Sequence, residues 1–389
     1  MRPAAASRPA DAEAGRSSVE GPAGRPARSP SVSGMTSPFI ARPELLDADP
    51  LQATGRPVRW GVVATGAIAA TVTADLLLLP DAQLQAVSSR RADRAQAFAE
   101  RFGATAWYAD DAQGSGVDAL LADPAVEAVY VATPHAQHAA VVRAALTAGK
   151  SVLCEKPLTI NAREATELVE LARERGLFLM EAVWTRFLPA YQRALEIAAS
   201  GEIGTVQWVS AEVGFPAPQD PTARIWAPAD GGGALLDLAV YPLLWAWGTL
   251  GLPDEVRAVG TLNAEGVDAQ NALTLTWASG AQAQLTTSLL ARSPHTAMVC
   301  GTDGWVRTDG ADSVYRPTRL DVQAGEGPVR TEEFGLIGSG YVHELREVTR
   351  CLQQGLTESP VLPLEHSLAT MRLLDGVREQ LGVVYPNDR

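Results

Sequence analysis

The sequence predicts an α/β domain built on a doubly wound parallel sheet, followed by an α+β domain with an open, mostly antiparallel sheet. Three observations carry that expectation. Between Pro57 and Ala182, short apolar runs alternate with helix-like stretches across short links, the pattern of strand–helix–strand units and hence of a parallel sheet. At the head of this stretch, Val58-Arg59-Trp60-Gly61-Val62-Val63-Ala64 runs into Thr65-Gly66-Ala67-Ile68-Ala69, a strand, a turn of small residues and a helix start. From Val206 onward, strand-like runs are separated by Gly and Asp turns such as Ala278-Ser279-Gly280, which reads as antiparallel.

Composition narrows the function classes. The chain has 389 residues, 46% hydrophobic and 20% charged, with ample material for a core and room for two domains. A formal charge of −13 argues against a nucleic-acid or anionic-membrane partner. Cys154, Cys300 and Cys351 show neither a pairing pattern nor metal spacing, so they read as reduced thiols of a cytoplasmic protein. No run approaches the ~18 apolar residues of a membrane span. The longest, Leu235 to Leu252, is interrupted by Asp237, Pro242 and Gly248.

Residues 1–34 are rich in Ala, Pro, Ser and Gly and poor in large apolar residues. Such a segment buries too little to offset its ordering entropy and is expected to be disordered. It has no apolar signal region, and Met35 is a candidate alternative start. Residues 36–56 read as linker, giving a 1–56 tail, a 57–182 first domain and a 183–389 second domain. In the first domain, strands are expected at Val58–Ala64, Gln83–Val87, Ala104–Tyr108, Val126–Ala132, Ser151–Cys154 and Phe178–Ala182. Helices are expected through Leu79 and at Ala92–Phe102, Val117–Leu121, His138–Ala148 and Ala162–Arg175. The second domain opens with a helix at Pro189–Ser200. Strands follow at Val206–Gly214, Val256–Leu262, Ala272–Ala278, Ala281–Leu289, Thr296–Gly301 and Trp305–Thr308, read as a meander. It closes with helices at Tyr341–Gln354 and Leu364–Leu381.

Several residues stand out chemically. Backbone amides at the Thr65-Gly66-Ala67-Ile68 turn can face a pyrophosphate, although the G-x-G-x-x-G/A pattern is only partly met, with Ala64 at the first glycine. An ordinary strand–helix turn accounts for the same residues. About twenty residues on, where an acid would bind a ribose hydroxyl, stand Ser89, Arg90 and Arg91, which suit a 2′-phosphate; a solvated basic turn is the plain alternative. Tyr130 to Pro134 reads as a buried strand ending in a Thr133-Pro134 turn. Lys156, between Glu155 and Pro157 at a strand end, faces the crevice where parallel sheets bind ligands, unless it is a surface ion pair. His135 and His138 lack a third ligand and read as capping and packing, so no metal is expected. After Gly231-Gly232-Gly233, one helix would place Asp237 and Tyr241 four apart on one face, either as a buried hydrogen-bonded pair or as site residues.

These residues together resemble the Gfo/Idh/MocA oxidoreductases, the glucose-fructose oxidoreductase and inositol dehydrogenase group. The resemblance rests on Trp60-Gly61 to Ala69, Val131-Ala132-Thr133-Pro134, Glu155-Lys156-Pro157, Gly231-Gly232-Gly233 with Asp237 and Tyr241, and Gly340-Tyr341 with Glu344. Trp184-Thr185-Arg186-Phe187 after Met180-Glu181-Ala182 looks like the dimeric trans-dihydrodiol dehydrogenase and NADP-dependent xylose dehydrogenase branch. The resemblance implies a Rossmann domain holding NADP, with NAD as the other option, and hydride transfer at a hydroxyl or carbonyl of a sugar, polyol or cyclic diol. It implies Lys156 and Tyr241 as the proton-transfer pair, with Lys156 lowering the Tyr241 pKa and Asp237 beside them. It implies cofactor contacts from Thr65, Gly66, Ala67, Ile68, Ser89, Arg90, Arg91, Thr133, Pro134, His138, Glu155, Lys156 and Arg186. Trp184 and Phe215 would wall the substrate, with Asp237 and Tyr241, and the second-domain sheet would mediate a homo-oligomer. A nicotinamide-dependent glycoside hydrolase and a non-catalytic cofactor-binding protein are the alternatives.

Overall fold

The structure, a computed structural model, describes residues 42–389 except 47, 219, 221 and 222. The tail expected over residues 1–34 lies outside the described residues.

Six strands make the first sheet: β1 (Val58–Val63), β2 (Ala82–Ser89), β3 (Ala106–Ala109), β4 (Ala128–Val131), β5 (Ser151–Glu155) and β6 (Leu179–Ala182). All are parallel, in the order β3-β2-β1-β4-β5-β6. They alternate with α1 (Ala67–Leu76), α2 (Ala92–Phe102), α3 (Gly116–Ala122), α4 (His138–Thr147) and α5 (Ala162–Arg175). The continuous apolar runs arise because helices cover both faces: β4 is buried along its whole length. The order reverses between β1 and β4, and their carboxyl ends open the crevice in which such sheets bind ligands.

The second part begins with α6 (Pro189–Ser200) and β7 (Val206–Gly214), then α7 (Ala234–Leu238) and α8 (Val240–Leu250). It continues through β8 (Glu255–Leu262), β9 (Asp268–Thr276), β10 (Gln282–Ser288), β11 (Ala297–Gly301), β12 (Gly304–Thr308), β13 (Arg319–Ala324) and β14 (Arg330–Glu333). Helices α9 (Val342–Gln353) and α10 (Leu364–Leu381) complete the fold. The eight strands run β14-β13-β12-β11-β7-β10-β9-β8, which corrects the expected simple meander. After β7 the chain leaves the sheet for α7 and α8, and β10 returns parallel to β7 while every other pairing is antiparallel. β13 and β14 were not foreseen, because their apolar Leu320 and Val322 are outnumbered by Arg319, Asp321, Arg330, Glu332 and Glu333. One face of this sheet packs on α8, whose residues from Val240 to Gly248 are all buried. The other face leaves Trp208 and Val259 exposed.

The single helix expected after the glycines is two. α7 and α8 break at Ala239, where the segments Pro228–Leu238 and Val240–Leu250 are bent by 43°. Pro242 has no N–H for the Leu238 carbonyl and its ring crowds that group, so the helix cannot continue unbroken. Residues 50–56, expected as linker, are tied to the body. The Pro50 carbonyl accepts from Arg346 Nε (2.8 Å), and the Thr54 N–H donates to Asp81 Oδ2 (2.8 Å). Asp81 in turn takes a two-pronged ion pair from buried Arg346 at 2.7 and 2.8 Å, which joins the start of β2 to α9.

Candidate active site

A cleft of about 860 Å³ lies along the carboxyl ends of the parallel strands. It runs from the Gly66 turn past Ser88 to Arg91, along Ala132 to His135, to Glu155, Lys156, Trp184, Asp237 and Tyr241. At one end, the first N–H groups of α1 have no side-chain cap, and a Cβ on Gly66 would meet nothing within 4 Å. Those amides and the helix dipole face open space, the arrangement that holds a pyrophosphate. Ala64, at the first fingerprint position, carries φ 88°, a left-handed conformation that glycine adopts freely and alanine does not. Two buried hydroxyl oxygens along the cleft, Ser88 Oγ and Thr133 Oγ1, have no hydrogen-bond partner among the described residues. These features fit a dinucleotide.

At the end of β2, Ser89 and Arg90 line the cleft. Arg91 also lines it, but its guanidinium is engaged by Asp93 at 2.5 and 2.9 Å. Arg94, one turn further along α2, adds a third guanidinium that sequence reasoning missed, although its i+3 and i+4 spacing from Arg91 and Arg90 signals it.

At the other end, Lys156 directly follows β5 and is joined to Pro157 by a cis peptide bond. Its ammonium donates to the Asp237 carbonyl at 2.5 Å, lies 3.6 Å from Asp237 Oδ1 and stands 5.0 Å from the Tyr241 ring centre. The bend between α7 and α8 occurs at these residues, so the proline-driven break shapes the site. Trp184 Nε1 donates to the Tyr241 hydroxyl at 3.4 Å. Burial opposes the Lys156 charge, but Tyr241, Asp237 and Glu155 hold it protonated well above the ordinary lysine value. Burial likewise opposes the Asp237 charge, and Lys156 holds that carboxyl below the carboxylate range. Tyr241 differs from expectation. Burial pushes its phenol above the ordinary value, and the Lys156 charge reverses only part of that, so the resting pair is an ammonium beside a neutral phenol. Glu155 accepts from the Tyr130 hydroxyl at 2.5 Å and is raised by burial.

His135 was not foreseen as a site residue. Its Nδ1 lies 3.0 Å from the Gly231 carbonyl and so carries the proton, leaving the Nε2 lone pair 3.6 Å from Asp237 Oδ1. Burial drops its pKa to about 3, so this contact joins a neutral imidazole to a carboxylate. Arg224 also lines the cleft.

Three expected contacts are corrected. His138 is fully buried, with its two ring nitrogens 2.8 and 2.9 Å from the Pro157 and Thr133 carbonyls, of which the neutral ring can donate to one, so it packs between the two turns and does not face the cleft. Arg186 is buried beneath its short helix, where Nε donates to the Val361 carbonyl at 3.2 Å. Phe215 follows β7, packed against the core, and is not among the cleft-lining residues. Its place in the wall is taken by Tyr341, stacked on Trp184 at 4.5 Å and 26°. Tyr315 stands behind, 5.1 Å from the Tyr241 ring. Among the described residues no cluster of His, Cys, Asp and Glu could hold a metal ion.

Residues 58–183 match the Gfo/Idh/MocA oxidoreductase family, NAD-binding Rossmann fold, and residues 191–307 match its C-terminal domain. Over 341 residues the chain is 37% identical to trans-1,2-dihydrobenzene-1,2-diol dehydrogenase of Mus musculus, covering 85% of this chain and 99% of that protein. The Homo sapiens protein of the same name is 36% identical over 341 residues, with the same coverage. KijD10, a 3-ketoreductase from Actinomadura kijaniata solved with NADP and TDP-benzene, superposes with a TM-score of 0.73 at 29% identity, covering 84% of this chain and 98% of that one. The chain belongs to the Gfo/Idh/MocA oxidoreductase family.

Proposed function

We propose that this protein is an NADP-dependent dehydrogenase that moves a hydride between the nicotinamide and a ring carbon bearing a hydroxyl or carbonyl, in a cyclic diol or a sugar. The observation that carries the proposal is the Lys156 ammonium set against Asp237 and 5.0 Å from the Tyr241 ring, at the far end of a cleft that starts at the Gly66 turn. The α1 amides and Thr133 would hold the dinucleotide, with Ser89, Arg90 and Arg94 around a 2′-phosphate. Bound there, the cofactor supplies the hydride acceptor or donor.

The chain's own residues handle the proton. In the reducing direction, neutral Tyr241 gives its hydroxyl proton to the developing alkoxide, while Lys156 stabilises that charge in a water-poor site. In the oxidising direction, Tyr241 accepts the hydroxyl proton, and the rate rises with pH. Because burial raises Tyr241, that rise should continue to or beyond the ordinary tyrosine value of about 10. Asp237 Oδ1 and His135 Nε2 present two acceptors to neighbouring hydroxyls. Trp184 and Tyr341 supply a flat apolar wall for a ring.

Residues 57–182 form the cofactor domain and 183–389 the substrate domain in this reading. The open face of the eight-stranded sheet, with Trp208 and Val259 exposed, suits a homo-oligomer, and three free thiols suit a reducing cytoplasm. The test is a panel of dihydrodiols, pentoses, hexoses and polyols, read by nicotinamide absorbance with both cofactors. Tyr241→Phe and Lys156→Met should each lower turnover by about 10²- to 10⁴-fold. The double variant should be little worse, since residues acting as one unit are non-additive. Near-wild-type turnover in Tyr241→Phe would remove Tyr241 from the mechanism.

A further inference from the structure

We infer that Asp75 is a positioning residue for the aromatic wall of the cleft, clamping the turn that carries Tyr341 to the far end of the helix that begins at the cofactor turn. The inference rests on the dehydrogenase reading for its kinetic consequence, but its structural content stands apart from it.

Asp75 lies in the last turn of α1, about 13 Å along the helix from Gly66 at 1.5 Å per residue. It is buried and has no Lys or Arg partner among the described residues. Its carboxylate is instead held by backbone. The Ser339 N–H donates to both oxygens at 2.9 and 3.0 Å, and the Tyr341 N–H donates to Oδ2 at 2.9 Å. This is the start of α9, so an anion supplied by one helix fills the N-terminal amide cup of another. Burial pushes the Asp75 pKa up, and these amides oppose it.

The turn is shaped for this contact. Gly338 and Gly340 carry φ +58° and +106°. A Cβ on Gly338 would sit 2.3 Å from Asp75 Oδ1, and a Cβ on Gly340 would sit 2.6 Å from Trp184 Cζ3. The two glycines therefore let the backbone close on the carboxylate on one side and on the indole on the other. Tyr341 then stacks on Trp184, whose indole N–H reaches the Tyr241 hydroxyl. One line of contacts thus runs from Asp75 through Tyr341 and Trp184 to the proton pair. Lys156, Asp237 and Tyr241 are held by other elements, so loss of the clamp should loosen the wall without removing the acid–base groups.

The experiment uses the full chain with Asp75→Ala, Asp75→Asn and Gly338→Ala. Trp184→Phe identifies the near-ultraviolet circular dichroism contributed by the stacked indole. Asp75→Ala and Gly338→Ala should each lose that contribution. Both should raise KM for the best ring substrate by about tenfold or more, the scale of a lost charge-assisted hydrogen bond. The kcat and the NADPH affinity should stay near wild type. Asp75→Asn keeps one accepting oxygen and should fall between. If Asp75→Ala does not fold, Asp75→Asn and Gly338→Ala carry the test. Persistence of the Trp184 contribution in these variants overturns the inference, as does a loss spread equally over KM, kcat and NADPH affinity. If the wild type turns over nothing in the panel, the dehydrogenase reading fails while the dichroism still decides the clamp.

Discussion

Replacing Asp268 with Asn should stabilise this protein, and the gain should grow as pH rises from 4 through 6. Asp268 opens β9 beneath the glycine turn and caps α7, the helix that bears Asp237. The Leu235 N–H and Asn271 Nδ2 donate to its Oδ2 at 2.9 and 2.7 Å, whereas Oδ1 has no donor among the described residues. Complete burial raises its pKa from 3.8 to about 6, and the two donors recover only part of the cost of the charge. In the unfolded chain the group ionises near 3.8. Between those values the unfolded state sheds a proton that the folded state keeps. A folded value raised above the unfolded one contributes stability that is fully present below pH 3.8 and is lost as pH rises through about 6. A shift of about two units at 1.36 kcal/mol each makes that loss about 3 kcal/mol at neutral pH. Asn offers the same accepting oxygen to both donors and never ionises. Thermal unfolding of the two proteins should therefore differ little at pH 4 and most at pH 7.5, with the variant the more stable. A pH-independent difference, or a less stable variant at pH 7.5, refutes this reasoning.

Other outcomes follow from single contacts. Ala64→Gly removes a left-handed alanine and should raise stability by up to about 1 kcal/mol, after the extra freedom of unfolded glycine is counted; a lower melting temperature would contradict the strain. Arg90→Ala should weaken NADP binding by roughly 1.5 kcal/mol, about tenfold, and leave NAD nearly unchanged, as measured by titration of nicotinamide fluorescence. Equal losses for both cofactors would take Arg90 away from the 2′-phosphate. The rate of alcohol oxidation should rise with pH without levelling off well below 10, because the Tyr241 phenol is held neutral by burial; a plateau near neutral pH would show that Lys156 outweighs burial in the working complex.

Local chemistry made much of the fold legible. Helices at Ala92–Phe102, Ala162–Arg175, Pro189–Ser200 and Leu364–Leu381 begin and end where the sequence places them. Arg175, Ser200 and Leu381 are followed by Gly176, Gly201 and Gly382 in the left-handed conformation that stops a helix. Periodicity also exposed the parallel sheet, since a strand covered on both faces must be apolar throughout. Lys156, Asp237 and Tyr241 stood out because a Lys at a strand end and a polar pair in an apolar stretch each break the local pattern, and the fold brings the three together. What sequence distance hides is which groups meet. The stacking of Tyr341 on Trp184, the insertion of β7 beside β10, and the burial of Arg186 and His138 each depend on segments far apart in the chain. Direction of charge was hidden for the same reason. A Lys beside a Tyr suggests a lowered phenol, but the balance is set by how completely the surrounding fold removes water, and here burial outweighs the ammonium. Most elements were legible because propensity and capping act over a few residues, whereas β13, β14 and the break between α7 and α8 were not. Partners, the bend between α7 and α8, and protonation arise with closure of the chain, because desolvation and long-range contact do not exist before it.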